Sequence, residues 1–162
     1  VNYITINGYK DLDTNDANKS SRLLEKVDTY VKNKMRNLNK KILLYPRYSI
    51  PGLEILLNTP CFFQEIQIST NEWPVPFDGL NKPKDIREYK KIKSVGKDKK
   101  HRASYRIIFL NLRDENGNLN TLNDLKPLIN HELAHTACNH VKWRDDDHGT
   151  DFIQYEKIMN GL

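Results

Sequence analysis

Residues 131–135 read His131-Glu132-Leu133-Ala134-His135. On a helix, residues four apart lie one above the other on the same face, so both imidazoles can reach one metal ion, of which Zn²⁺ is the usual partner for such a pair. Glu132 projects beside them, where a carboxylate can take a proton from a water activated by the metal. Two histidines and a glutamate in this order carry the chemistry of metal-assisted hydrolysis. The chain has only five His in all, which makes a chance match uncommon.

A catalytic zinc takes three protein ligands and keeps one position open. Four residues compete for the third place. Cys138 falls on a compatible face of the same helix, although a small buried thiol accounts for it equally. His140, five residues past His135, points away from the pair if the helix continues through it. Glu156, on the last expected helix, would give a site of two His and one Glu. His148 ends the polar run Arg144-Asp145-Asp146-Asp147 and precedes Gly149, which lets the backbone turn back toward the metal, and it is the preferred candidate.

The elements that must position these groups follow from the surrounding pattern. Tyr105–Leu112 is an apolar, β-prone run, and the Asn116-Gly117 pair after it signals a tight turn. Thr121 to Asp124 offer helix caps; with Asp124 as the cap, Pro127 falls in the first turn, where its missing N–H does no harm. Leu125, Leu128, Ile129, Leu133, Ala134 and Ala137 then form the stripe that buries the helix while its histidines face a cleft. The expected order is strand, turn, metal-binding helix.

The motif at 131–135, followed by His148-Gly149-Thr150-Asp151-Phe152, resembles the SprT-like and WLM metallopeptidases over roughly residues 103–160. The resemblance implies a zinc-dependent endopeptidase with ligands His131, His135 and His148 and with Glu132 as general base. WLM domains place the third histidine nearer the helix, where His140 falls; SprT-like proteins space it about as His148 is spaced. Several members of these families cleave proteins crosslinked to DNA. In such a mechanism a further group steadies the tetrahedral oxyanion. Tyr155, about a turn beyond Phe152, is the candidate for that role, with a packed core tyrosine as the alternative. Asp145, Asp146 and Asp147 could orient a ligand imidazole or simply form a solvated loop. The edge of the Tyr105–Leu112 strand could align an extended peptide.

Charge is unevenly distributed. Residues 82–102 hold ten basic and three acidic side chains, while the whole chain of 162 residues carries only +5. Such a patch fits phosphates, and Lys90, Lys91, Lys93, Lys97, Lys99 and Lys100 are its candidate DNA contacts; a solvated lysine-rich loop is the alternative.

The length suits one domain, and no apolar run of membrane-spanning length occurs. Two cysteines, Cys61 and Cys138, are too few for a disulfide framework, which favours an intracellular compartment (cytoplasm or nucleus) over secretion, with a single bridge between them as the alternative. Abundant Asn and Lys fit an AT-rich genome, such as that of some viruses, and Val1 in place of Met fits a processed or trimmed N-terminus.

In the N-terminal half, Asp16–Lys40 is expected as an amphipathic helix, Lys41–Tyr45 and Phe62–Ser69 as strands, and Leu53–Leu57 as a short helix. Trp73–Phe77 is too proline-broken for either element. The expected fold is α+β, a single zincin-like domain. In it a small mixed sheet packs on the metal-site helix beside the N-terminal helix. The leading expectation is a zinc metallopeptidase acting on a protein or peptide substrate. Two alternatives stand beside it. One is a nucleic-acid-binding module whose structural zinc is closed by His131, His135, His140 and His148. The other is a catalytically silent zincin-like binding protein.

Overall fold

The computed structural model describes residues 14–66, 79–84, 105–114, 117–138 and 148–162. Helix α1 spans Thr14–Leu44 and sinks Leu23, Leu24, Val27, Val31 and Leu38 into the core at three- and four-residue steps. The strand expected at Lys41–Tyr45 is instead the last turn of this helix and the residue that ends it. Nothing in Lys41–Leu44 breaks a helix, and once nucleated each added residue gains a hydrogen bond. Termination comes from Pro46, which excludes the preceding residue from helical backbone; Tyr45 accordingly sits at φ −128°, ψ 111°.

A 3₁₀ turn (Pro46–Tyr48) leads to helix α2, Pro51–Asn58, with Pro51 in the first turn, where its missing N–H costs nothing. Strands β1 (Cys61–Glu65), β2 (Gly79–Lys84) and β3 (Tyr105–Leu110) form a sheet in the order β1-β3-β2. β3 pairs parallel with β1, Phe63 opposite Ile108, and antiparallel with β2, Asn81 opposite Ile108. The strand expected to offer a free edge is therefore the central one. Its continuous run Tyr-Arg-Ile-Ile-Phe-Leu is buried throughout, as a strand covered on both faces requires. Ile108 and Leu110 face the helices, whereas Tyr105, Ile107 and Phe109 join Ile66 in a second cluster. β2 was not foreseen, because Gly-Leu-Asn-Lys-Pro-Lys holds no β-branched residue. Its Pro83 suits an outer strand.

After β3 the chain reverses at Gly117, whose φ of 81° a side chain would strain. Gly117 N–H donates to the Asp114 carbonyl, and an Arg113–Leu119 bridge closes the turn. Arg113 also pairs with buried Glu65 at 3.4 Å and donates to Ser20 Oγ, fastening this turn to β1 and α1.

Helix α3, Leu122–Ala137, starts from a reciprocal cap. Asp124 N–H donates to Thr121 Oγ1, and Thr121 N–H donates to the Asp124 carboxylate. The cap is thus Thr121 rather than Asp124, which puts Pro127 inside the helix and leaves the Asn123 carbonyl without its usual donor. The Thr121 backbone N–H and, second, the Thr121 hydroxyl both donate to the Asp124 carboxylate and hold it below its ordinary range. Helix α4, Thr150–Gly161, packs on α3 and buries Phe152, Tyr155 and Met159. Buried Lys34 of α1 donates to the Met159 carbonyl in its last turn. The described residues thus form four α-helices and a small mixed sheet, an α+β arrangement with its main core between the sheet and the helices.

Candidate metal centre

His131 and His135 stand one turn apart on α3, and His148 enters from the residues just before α4. Their metal-binding nitrogens all lie within 4.8 Å of one another. His131 Nε2 and His148 Nε2 are 3.3 Å apart. Two nitrogens about 2.0–2.1 Å from a tetrahedral ion are separated by about 3.3–3.4 Å, so this pair already stands at ligand spacing. Three imidazoles form a donor set suited to a first-row transition metal.

Two neighbours explain the orientation. The Glu156 carboxylate lies 2.7 Å from His131 Nδ1. A carboxylate there takes the Nδ1 proton in a hydrogen bond and leaves the Nε2 lone pair aimed at the other two rings. Glu156, one of the four competitors for the third ligand position, is the group that orients His131. Phe152 forms the floor, with its ring centroid 4.9, 4.5 and 4.7 Å from those of His131, His135 and His148.

The second half of α3 is tied to the sheet by a buried polar chain. Arg106, 1 % exposed, donates to Asn81 Oδ1, which orients that amide. Asn81 Nδ2 then donates to the Glu132 carbonyl at 2.7 Å and to Thr136 Oγ1 at 2.8 Å. The turn carrying Glu132 and His135 is therefore fixed by β2 and β3.

Glu132 is 4 % exposed, and burial pushes its carboxyl up to about 7. It borders a cavity of about 650 Å³ shared with His131, Glu156, Leu128, Arg113 and Gly79. Gly79 makes this position available. A Cβ there would come within 2.7 Å of Glu132 Oε1 and 3.1 Å of Leu128. Sequence reasoning missed Gly79, since its only signal is a glycine at the start of an unforeseen strand. It also missed Arg106 and Asn81, whose roles depend on strand pairing.

The remaining candidates lie elsewhere. Tyr155 is buried, its hydroxyl bonded to the backbone of Gly52, and it lines a different cavity with Cys138. Its ring presses on Gly52 so closely that a Cβ would fall 2.2 Å from it. Tyr155 thus packs on Gly52 and lines a different cavity from the one that Glu132 borders. Cys138 caps the end of α3 outside the cluster, and Cys61 and Cys138 are not joined in a disulfide. His140, Asp145–Asp147, Trp73–Phe77 and the six lysines at 90, 91, 93, 97, 99 and 100 lie outside the described residues. Comparisons with protein-family models, curated proteins and solved structures return no match for this chain.

Proposed function

We propose that the chain is a zinc-dependent metallopeptidase of the zincin type, similar to the SprT-like and WLM enzymes. The observation that carries this reading is the convergence of His131, His135 and His148, with a buried carboxylate, Glu132, in the same helix bordering a cavity that His131 also lines. A purely structural zinc site needs a fourth ligand and has no use for an adjacent buried acid.

His131, His135 and His148 would hold the ion, with Glu156 fixing the His131 tautomer. When bound, zinc would supply Lewis acidity toward water and toward the scissile carbonyl. Glu132 accepts the proton of the attacking water and returns it to the leaving amine. Its raised pKa suits both halves of that transfer at neutral pH. An extended peptide would enter along β2, the strand that borders the cavity at Gly79 and whose outer edge is unpaired among the described residues. Proteins bound to DNA are the substrate class we favour, from the resemblance and from the basic segment 82–102.

The test is hydrolysis of an unfolded protein substrate by zinc-loaded wild type and Glu132→Gln. The variant keeps zinc and fold and loses turnover by about a thousandfold or more. Equal hydrolysis by both would overturn the reading, and so would none by either across varied protein substrates, with and without DNA.

A further inference from the structure

The corner between α1 and the 3₁₀ turn differs from an ordinary surface. Leu43 is 78 % exposed, Leu44 70 % and Tyr45 48 %, three successive large apolar side chains facing solvent. The core does not need them, since the buried stripe of α1 ends at Leu38, with Ile42 only partly covered. Isolated exposed leucines are commonplace, but a run of them at one corner marks an interaction site.

The surroundings of the run define its partner. Arg36, Lys40, Lys41 and Arg47 flank it, and the sequence holds no Asp or Glu from residue 29 to residue 53. Lys41 Nζ lies 5.4 Å from the centroid of the Tyr48 ring, and the Arg47 guanidinium lies 5.0 Å from the same ring and 5.6 Å from that of Tyr45. Neither cation has a carboxylate partner among the described residues. Two cations gathered around one aromatic ring leave a local excess of positive charge that a nearby anion offsets.

We infer that this corner docks on an anionic phospholipid surface. Leu43, Leu44 and Tyr45 enter the boundary between headgroups and acyl chains, while Lys40, Lys41 and Arg47 meet lipid phosphates. The layering fits: an apolar wedge, an aromatic with a polar tip, then cations on long stems that keep their charge in the headgroup zone. A nucleic acid would use the cations but has no place for the two leucines. A partner helix would need a groove, whereas residues 43–47 are all exposed in succession and no residue of the 3₁₀ turn is fully buried. The inference needs no metal and stands apart from the peptidase reading.

The experiment is sedimentation of the full chain with vesicles containing phosphatidylserine and with vesicles of phosphatidylcholine alone. Wild type binds the anionic vesicles and not the neutral ones. Leu43→Ser/Leu44→Ser weakens binding about tenfold or more, and Lys41→Gln/Arg47→Gln weakens it by about fivefold for each charge removed. Circular dichroism and melting stay unchanged in both, because the side chains are peripheral. The inference is overturned if wild type ignores anionic vesicles. It is also overturned if the serine variant binds as wild type does, which would move the contact to the lysine-rich segment. A dimer lost in the serine variant, without vesicle binding, would assign the corner to a second copy of the chain instead. A loss confined to DNA binding in the glutamine variant would assign it to nucleic acid.

Discussion

At Glu132, low exposure makes the carboxyl costly to ionise, and in the proposed reading it also tunes the group for proton transfer. A general base must be ionised before attack, so kcat/KM should rise with pH through the titration of Glu132. The nearby cation of the loaded site favours the charged form, which puts the acid limb between the ordinary 4.5 and the raised value of about 7. A pH profile with no limb in that window would contradict the role. In metal-free protein the same group acts on stability. Its folded pKa is raised, so the folded state binds more protons than the unfolded one between pH 4.5 and 7, and stability falls across that window as pH rises. Glu132→Gln escapes the penalty. Denaturant titration of the metal-free proteins should find the variant more stable at pH 8, by up to about 3 kcal/mol, with the advantage gone near pH 4. Glu156 carries a separate expectation. Glu156→Gln weakens the hold on the His131 tautomer and lowers zinc affinity about 10–100-fold in a competition titration, leaving stoichiometry unchanged.

At the scale of elements, two glycines separate structure from activity. Gly52→Ala drives a methyl into the Tyr155 ring and the Ala137 carbonyl, neither of which can retreat, and costs about 1–3 kcal/mol in stability. Gly79→Ala meets the ends of two side chains, Glu132 and Leu128, which can give way. It leaves the melting temperature nearly unchanged but displaces the general base, and turnover falls about a hundredfold. Equal effects of the two substitutions on melting would contradict this difference. The motif helix and its stripe were legible because a 3.6-residue period and a cluster of metal ligands are local signals. β2 and the last turn of α1 were not, since one forms only by pairing with β3 and the other depends on where a proline halts propagation. For the same reason His148 and the motif could be read from spacing, whereas Gly79, Asn81 and Arg106 became part of the site only through the sheet.

Across the whole molecule, the three imidazoles come from two segments, so a bound ion ties α3 to the start of α4. The metal then acts as a ligand of the folded state and stabilises it by mass action, about 2.7 kcal/mol at a free concentration 100 times Kd. Chelation should lower the melting temperature of wild type and leave that of His148→Ala unmoved. The packing of α4 does not rest on the metal alone, since Phe152, Tyr155, Met159 and the Lys34 bond to Met159 also hold it. Metal-free protein therefore stays folded at moderate temperature, and far-UV circular dichroism in the presence of chelator checks this. The most direct test of the account is zinc per chain by elemental analysis, in wild type and in His131→Ala, His135→Ala, His148→Ala and His140→Ala. The expected result is one zinc in wild type and in His140→Ala, and none in the other three. Zinc retained in His148→Ala, or absent from metal-replete wild type, would contradict it.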